Sequence, residues 1–404
     1  MKKIAIIGSA GIPAKYGGFE TLAQHLVKEL KDDFRFQVYC SEKFYGKEER
    51  MDSYHNAELI YLPLKANGIQ SIPYDIISMV HAAFTCDILL LLGVSGGLFC
   101  PILRLFTNKK IIVNIDGLEW RRSKWNKFAK FFLRISEKIA VKYSHADITD
   151  NAALKRYALR QYKTISHLIS YGADHVEQIS PTEADIDSFP FLKSEYAFKV
   201  ARIEPENNIE LILKAFDKLN KNLVLVGNWQ NSEYGRDLYD RYVIPSKSNI
   251  HLLHPIYEQN TLDIIRSNAY VYIHGHSAGG TNPSLVEAMF LSLPILSFDV
   301  SFNRETTNNQ AIYFKTAEDL KTLINTKSKQ DLVQMGNRLK TIANDKYTWS
   351  IIAAKYRRLF YSFEFNYRKQ YINQKWSKFY EKGIFNGNIT AFSNEWPYRK
   401  IDDI

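Results

Sequence analysis

Two glycine-containing loops in this 404-residue sequence could bind a phosphorylated ligand. The first, GSAGIPAKYGGFET at residues 8–21, follows a short apolar run and contains Gly8, Gly11, Gly17 and Gly18. Glycine lets the backbone approach a ligand closely, and the N-terminus of the following helix offers unpaired N–H groups to an anion. The spacing differs from a dinucleotide fingerprint, which would need glycine at positions 10 and 13. We therefore expect residues 11–20, including Glu20, to contact a substrate, with a tight turn that binds nothing as the alternative.

The second loop, HGHSAGGTNPSLVEAM at residues 274–289, follows the apolar run AYVYI. Asn282 is a favourable N-cap residue and Pro283 suits the first helical position, so a helix should begin there. Glu287 would lie about one turn into that helix, where a carboxylate suits ribose hydroxyls better than a phosphate. A glutamate that only favours the helix dipole is the alternative. The groups predicted to surround an anion are those of Gly280, Thr281, Asn282 and Ser284.

Carboxylates and histidines also follow predicted strands. Asp116 and Glu119 come at and after the end of the run KIIVNID, and ligands of open α/β sheets bind at the carboxyl ends of strands. Asp116 is therefore a candidate contact for a ligand. Glu119 is a second candidate, but it could instead pair with a neighbouring cation, namely Arg121, Arg122 or Lys124. His274 and His276 could be general bases, ligand contacts or merely residues at the end of a strand.

The elements that must position these residues alternate along the chain. Short β-branched runs separate longer amphipathic stretches, which predicts an α/β fold of two doubly wound domains with mostly parallel sheets. The runs KKIAIIG, FQVYC, ELIYLPL, DILLLLGV and KIIVNID predict the first sheet, and YAFKVARI, NLVLVG, NIHLL, AYVYIHG and LPILSFD predict the second. We expect an N-terminal domain at 1–180, a C-terminal domain at 190–345, a link at 179–192, and a last segment at 346–404.

Composition narrows the class of protein. Lysine and arginine exceed aspartate and glutamate by 53 − 43 = 10, which favours an anionic partner, although no nucleic-acid-binding motif is present. Cys40, Cys86 and Cys100 are too few and too scattered for a disulfide framework or a zinc site, so a reducing compartment is expected. The start of the chain predicts a first strand rather than a signal peptide. The uncharged run at 88–103 is too short and too interrupted to predict a transmembrane helix.

Two regions are unusually basic. Residues 120–142 hold eight lysines or arginines and one acid, and Phe128, Phe131, Ile135 and Ile139 follow helical spacing there. Such a helix can rest on an anionic membrane, but an ordinary packed helix with a solvated basic face fits equally well. The last 54 residues are also basic and rich in aromatic residues. We expect this segment to pack on another surface, with residues 366–404 near the membrane or at a dimer contact.

Together these motifs resemble glycosyltransferase family 4, and within it the bacterial rhamnosyltransferases that assemble capsule, O-antigen and related polysaccharides. The resemblance covers about residues 1–365. It rests on the loop at Gly17 and Gly18, NIDGLEWRRSKW at 114–125, ISYGAD at 169–174, ARIEPENN at 201–208 and GGTNPSLVEA at 279–288. It implies a GT-B fold, in which two Rossmann-like domains face each other across a cleft. The N-terminal domain would bind the acceptor and the C-terminal domain the nucleotide sugar.

The chain departs from the family pattern at two positions of the donor pocket. In the family an arginine and a lysine five positions later hold the donor diphosphate; Arg202 matches the arginine, but Asn207 occupies the lysine position. Of the two glutamates separated by seven residues, Glu287 matches the second, which binds the ribose, and Gly279 replaces the first, which touches the donor sugar. A smaller or less polar sugar would need fewer contacts. The resemblance to this subgroup therefore implies dTDP-rhamnose as the donor.

The resemblance also implies a mechanism and a location. Transfer would retain the configuration at the anomeric carbon and need neither a metal nor another cofactor, with Arg202, Asp116 and His276 closest to the reaction. The acceptor would be a glycan, carried on a polyprenyl-diphosphate lipid, and the enzyme would be cytoplasmic and peripheral on the inner face of the cell membrane. A UDP- or GDP-hexose donor, a sugar-nucleotide epimerase and a non-catalytic scaffold are the alternatives; nucleic acid is not an expected partner.

Overall fold

The N-terminal domain is built on an eight-stranded sheet. The computed structural model describes residues 1–371 except 16, 116, 123–124, 244–248 and 366. The strands are β1 (Lys3–Ile7), β2 (Arg35–Ser41), β3 (Ser53–Tyr54), β4 (Ala57–Leu62), β5 (Ile88–Leu92), β6 (Lys110–Ile115), β7 (Ala146–Thr149) and β8 (His167–Leu168). Their order is β3-β4-β2-β1-β5-β6-β7-β8, and neighbouring strands are parallel except for β3 and β4. The carboxyl ends of the parallel strands therefore share one edge.

Helices cover both faces of this sheet, which is why its central strands are apolar on both sides. The helices are α1 (Gly18–Glu29), α2 (Ser71–Thr85), α3 (Cys100–Phe106), α4 (Lys127–Tyr143) and α5 (Ala152–Tyr162). Successive residues of β1 point to opposite cores, as the two-residue period of a strand requires. Ile4 and Ile6 pack in the core that contains Leu22 of α1, whereas Ala5 and Ile7 pack in the core that contains Met79 of α2.

The C-terminal domain repeats this arrangement on a six-stranded parallel sheet, ordered β11-β10-β9-β12-β13-β14. Its strands are β9 (Tyr196–Val200), β10 (Asn222–Val226), β11 (Ile250–Leu253), β12 (Val271–His274), β13 (Ile295–Phe298) and β14 (Ile312–Phe314). After the short helix α6 (Glu183–Ser188) come α7 (Ile209–Phe216), α8 (Glu233–Val243), α9 (Gln259–Ser267), α10 (Pro283–Phe290), α11 (Ser301–Thr306), α12 (Ala317–Thr326) and α13 (Lys329–Lys346). The two sheets with their helices confirm the predicted pair of Rossmann-like α/β domains.

The chain returns to the N-terminal domain through α14 (Trp349–Ser362). Trp349, Ile352 and Tyr356 pack in the same core as Leu22 of α1. Beyond this helix, Lys369 Nζ lies 2.6 Å from the buried carboxylate of Asp147 in β7. The predicted contacts of the remaining tail fall on residues 372–404, outside the described residues.

Several sequence predictions can be compared directly with these elements. All ten predicted strands are present, and the uncharged run at 88–103 forms β5 and most of α3. In the described part of the chain, no helix is both long and apolar enough to cross a membrane. The link between the domains contains α6, which was not predicted, and the sequence analysis also missed β3, β7, β8 and β14.

Candidate active site

The candidate site lies where the carboxyl edges of the two sheets face each other. Glycines allow the two sides to approach closely: a Cβ atom on Gly18 would lie 3.1 Å from Cγ of Pro283. A Cβ atom on Gly117, just after β6, would lie only 2.4 Å from Cα of Gly279. The two loops singled out in the sequence thus meet across the cleft, one from each domain.

The first loop is held in shape by Glu20. Its Oε1 accepts a hydrogen bond from the backbone N–H of Ala10 at 2.6 Å. Gly17, which precedes α1, has a φ of 122°, a conformation open to glycine but costly for other residues. Burial raises the pKa of Glu20, while the bond from Ala10 and the charge of Arg202 across the cleft act in the opposite direction. Glu20 therefore shapes the loop from within and faces the predicted diphosphate site.

The second loop leads into α10, which begins at Pro283 with Asn282 as its N-cap, as predicted. The side chain of Asn282 does not cap the helix; instead its Oδ1 accepts a hydrogen bond from Ser284 Oγ at 3.0 Å. The first N–H groups of α10 thus have no side-chain cap from Asn282. Gly279 has a φ of 132°, and a Cβ atom there would meet nothing within 4 Å. The backbone at the position of the family's sugar-binding glutamate therefore favours glycine.

Thr281 joins the domains rather than lining an open pocket. Its hydroxyl donates to the backbone oxygen of Asp150 at 2.7 Å and accepts from Asn151 Nδ2 at 3.2 Å. Gly280 also lies against Asp150, since a Cβ atom at that glycine would lie 2.0 Å from Oδ1 of Asp150. These contacts hold the second loop against the carboxyl end of β7.

Glu287 is held between two cationic or potentially cationic side chains. Arg266 Nη1 pairs with its Oε2, and His175 Nε2 lies 3.5 Å from its Oε1. Burial alone would raise the pKa of Glu287, but Arg266 and His175 outweigh it and lower that pKa to about 2. The carboxylate is therefore ionised. Each oxygen has one protein partner and retains acceptor capacity, which suits the two hydroxyls of a ribose.

His175 connects this carboxylate to the start of α14. Nε1 of Trp349 lies 3.1 Å from Nδ1 of His175, and the Trp349 ring stacks on His25 with centroids 4.1 Å apart. The backbone N–H of Trp349 donates to Asp174 Oδ1 at 2.7 Å. A continuous set of contacts thus runs from α1 through the start of α14 to the predicted ribose site.

Charged residues from both domains converge near Arg202. Oε2 of Glu204 lies 3.8 Å from Nε of Arg202 and 3.8 Å from Nη1 of Arg122, which comes from the N-terminal domain. Arg122 also pairs with Glu119, with Nε and Oε2 2.6 Å apart. The alternative considered for Glu119, an ion pair with a nearby arginine, is the arrangement observed. The cluster places two guanidinium groups at the cleft, with that of Arg202 nearly half exposed.

His276 lies buried beside this cluster, and its ring stacks on that of His274 with centroids 4.5 Å apart. Burial, together with the positive charges of Lys199 and Arg202, holds the pKa of His276 well below its usual value. The imidazole is therefore neutral and can donate or accept a hydrogen bond. Lys199 of β9 is fully buried, and burial lowers its pKa to about 7.

Asn207 does not reach into the cleft as a lysine could. It is buried, and its Nδ2 donates to the backbone oxygen of Arg202 at 2.7 Å. The amide therefore shapes the loop that carries Arg202. Asp116 lies outside the described residues, so the structure does not place its carboxylate.

The structure brings several residues to the site that the sequence analysis did not select. They are His175, Lys199, Glu204 and Arg266, together with Arg122, which was considered only as a partner of Glu119. His175 follows the motif ISYGAD directly, and Lys199 interrupts an apolar strand, so both carried a weak signal. Arg266 carried none, because its pairing with Glu287 depends on how α9 and α10 pack. Among the described residues, no group of three or more His, Cys, Asp or Glu is placed to hold a metal ion.

Comparison with known families and structures agrees with this geometry. Residues 182–344 match the family described as glycosyl transferases group 1, and residues 1–174 match a domain of unknown function, DUF1972. No curated protein matches the chain. Sucrose-phosphate synthase from Thermosynechococcus elongatus superposes with a TM-score of 0.73 at 13% identity, over 91% of this chain and 100% of that one.

Two other structures have related architectures. Anabaena HepE, crystallised in complex with UDP-glucose, gives a TM-score of 0.67 at 12% identity, over 90% of this chain and 100% of that one. A structure from Listeria monocytogenes, described as a UDP-N-acetylglucosamine 2-epimerase, gives a TM-score of 0.55 at 15% identity, over 90% of this chain and 96% of that one. At these identities the likeness shows the fold, which is the predicted pair of Rossmann-like domains facing across a cleft.

Proposed function

Because the chain is a glycosyltransferase with the GT-B fold, we propose that it transfers L-rhamnose from dTDP-rhamnose to a glycan acceptor. The transfer retains the configuration at the anomeric carbon. The acceptor is a growing cell-surface polysaccharide carried on polyprenyl diphosphate, so the enzyme works in the cytoplasm, at the inner face of the cell membrane.

The observation that carries the donor proposal is the backbone at Gly279. Position 279 is glycine with a φ of 132°, and the space where its Cβ atom would lie is open, so the donor-sugar side has no carboxylate at this position. The nearby His276 is neutral, so it offers one hydrogen bond rather than a charge. A 6-deoxyhexose has one hydroxyl fewer than a hexose, and a site with fewer polar contacts suits it because unpaired buried polar groups are costly.

The donor diphosphate would lie between Arg202 and the first N–H groups of α10. A guanidinium group and a helix N-terminus both stabilise negative charge, and they would do so most strongly as the diphosphate leaves. Glu204 and Glu20 balance Arg202 in the structure. In this proposal the guanidinium group and the helix N-terminus take the place of a metal ion, and Glu287 accepts hydrogen bonds from the ribose hydroxyls.

In the proposed reaction the acceptor hydroxyl attacks the anomeric carbon from the face that the diphosphate leaves. The bond from that carbon to the diphosphate oxygen breaks, the bond to the acceptor oxygen forms, and the acceptor proton passes to the departing diphosphate. Asp116 stays a predicted contact for sugar hydroxyls. Closure of the two domains would exclude water from the reacting anomeric carbon.

A UDP-hexose donor is the second candidate. It is favoured by the likeness to Anabaena HepE, which was crystallised with UDP-glucose. A thermal-shift series with dTDP, UDP and GDP, each with and without Mg²⁺, separates the two, because a ligand stabilises a protein according to its concentration relative to its Kd. We expect the largest shift with dTDP, unchanged by Mg²⁺. A larger shift with UDP or GDP would contradict the rhamnose donor but not the enzyme class.

A Glu287→Gln variant tests the assigned ribose contact. Loss of the charged acceptor should raise the Kd of the nucleoside diphosphate by roughly tenfold. The shift is measured against the unliganded variant, so any loss of stability is accounted for. Glu233→Gln, on the exposed side of α8, is the matched control and should bind like the wild type. Equal binding by both variants would contradict the assignment, and no shift with any nucleotide would favour a scaffold.

A further inference from the structure

Helix α2 presents an apolar stripe to solvent. Ile77, Val80 and Phe84 are all exposed, and their spacing of three and four residues places them on one face of the helix. Phe84 is 84% exposed. The opposite face of α2 packs on the sheet through Tyr74 and Met79. The helix therefore has two apolar faces, one buried in the core and one exposed to solvent.

The neighbouring helices α3 and α4 carry similar side chains. Leu105 and Phe106 of α3 are 77% and 76% exposed, and Phe128 and Phe131 of α4 are 78% and 63% exposed. The end of α3 joins α4 through Arg104, whose Nη1 donates to the backbone oxygen of Tyr143 at 3.0 Å.

The loop before α3 connects this pair of helices to α2. The backbone N–H of Gly96 donates to Asp75 Oδ2 of α2 at 3.1 Å. A Cβ atom on Gly97 would lie 2.5 Å from the backbone oxygen of Ser136 in α4. The three apolar stripes therefore belong to adjacent helices on one side of the N-terminal domain.

The charges on these helices have one sign. Asp75 and Glu137 are their only acidic residues, and both are buried. The exposed charged side chains are all basic, namely Arg104, Lys127, Arg134, Lys138 and Lys142. A protein surface normally mixes both signs, and exposed apolar patches larger than usual mark interaction sites. Apolar side chains among cations fit a partner that has an apolar interior and an anionic surface.

We propose that the outward faces of α2, α3 and α4 form a docking surface for an anionic lipid bilayer. Phe84, Phe106 and Phe131 would enter the boundary between headgroups and acyl chains, while the basic residues meet anionic headgroups. This deepens the proposed function, since a polyprenyl-linked acceptor lies in such a bilayer. It does not depend on which nucleotide sugar is the donor.

Sedimentation of the full chain with lipid vesicles tests the proposal. We expect binding to vesicles of phosphatidylcholine containing about one-third phosphatidylglycerol, and much weaker binding to phosphatidylcholine alone, since each basic residue near an anionic surface contributes attraction. The variant Phe84→Ser/Phe106→Ser/Phe131→Ser should lose at least about tenfold in affinity for the anionic vesicles. Val333→Ser/Tyr257→Ser removes exposed apolar side chains elsewhere and should bind like the wild type.

A second measurement separates this proposal from the proposed function. The thermal shift caused by nucleotide should be the same in all three proteins, which also shows that the triple variant is folded. Unchanged vesicle binding by the triple variant would overturn the proposal, and so would wild-type protein that stays in solution with anionic vesicles. A dimer in light scattering that the triple variant abolishes would assign the surface to a second copy instead. Equal binding to both vesicle types would overturn the role of the basic residues.

Discussion

Replacing Lys199 by methionine should stabilise the protein at neutral pH. Among the described residues, Nζ of Lys199 has no hydrogen-bond partner. A Cβ atom on Gly275 would lie 3.1 Å from it, 2.9 Å from a methyl group of Ile212 and 2.3 Å from the backbone oxygen of Asn207, so its surroundings are close-packed. Burial lowers the pKa of Lys199 from 10.5 to about 7, because the charged form loses its hydration without gaining a partner.

The sign and size of the effect follow from proton linkage. Between pH 7 and pH 10.5 the unfolded chain holds a proton on this lysine that the folded protein has released, so the free energy of unfolding rises with pH. One group contributes at most about 1.4 kcal/mol per pH unit, which amounts to on the order of 4 kcal/mol over this window. Methionine has a similar volume and no charged form. The Lys199→Met variant should therefore be more stable at pH 7 by an amount of that order, and the advantage should vanish near pH 10.5.

Urea unfolding of both proteins at pH 7 and pH 10 measures this difference. Other groups that titrate between pH 7 and pH 10 are present in both proteins. The pH dependence of the stability difference between variant and wild type therefore reports on Lys199. Lys340→Met, on the exposed side of α13, is the matched control and should show no such change. A variant that is less stable than the wild type at pH 7, or an equal difference at both pH values, would refute the reasoning.

Two further substitutions test particular contacts. His175→Gln removes the imidazole that lies 3.5 Å from Glu287. It should weaken the binding of a nucleoside diphosphate several-fold, as measured by calorimetry. Unchanged affinity would mean that His175 does not support the predicted ribose site. Lys369→Met leaves the carboxylate of Asp147 buried without its cation, at a cost of about 3–5 kcal/mol in thermal unfolding. The control is Lys2→Met, which breaks an exposed ion pair and should change stability by less than about 1 kcal/mol. Similar losses of stability in the Lys369 and Lys2 variants would contradict the role of burial.

The sheets could be predicted because their strands are encoded locally. The run ILLLL at 88–92 is apolar at every position, as expected of a strand buried on both faces. The start of α10 was predicted for the same kind of reason, since Asn282 and Pro283 are adjacent in the chain. The missed strands β3 and β8 are two residues long, and β14 is three, so none shows a period.

The site could be predicted only in part, because its pairings join distant segments. The sequence indicated that Glu287 is an acceptor, but not that Arg266 and His175 hold it. Glu119 was consistent both with a substrate contact and with an ion pair to a neighbour in the chain, and the structure shows the ion pair, with Arg122 three residues away. What the sequence did not indicate is that Arg122 also approaches Glu204 of the C-terminal domain. Exposure of the apolar stripe on α2 is likewise a tertiary property, since the sequence of that helix is apolar on most sides.

The two departures at the donor pocket have physical counterparts that the sequence alone did not reveal. At position 207 the amide is buried and bonds to the loop that carries Arg202, so it cannot supply the missing cation. Lys199 lies in the strand that leads to this loop, but burial lowers its pKa to about 7, so it does not replace a lysine that is fully charged at neutral pH. At position 279 the left-handed backbone favours glycine. We therefore expect a donor site in which Arg202 supplies positive charge for a diphosphate while the sugar side lacks a carboxylate, and the nucleotide series tests this asymmetry.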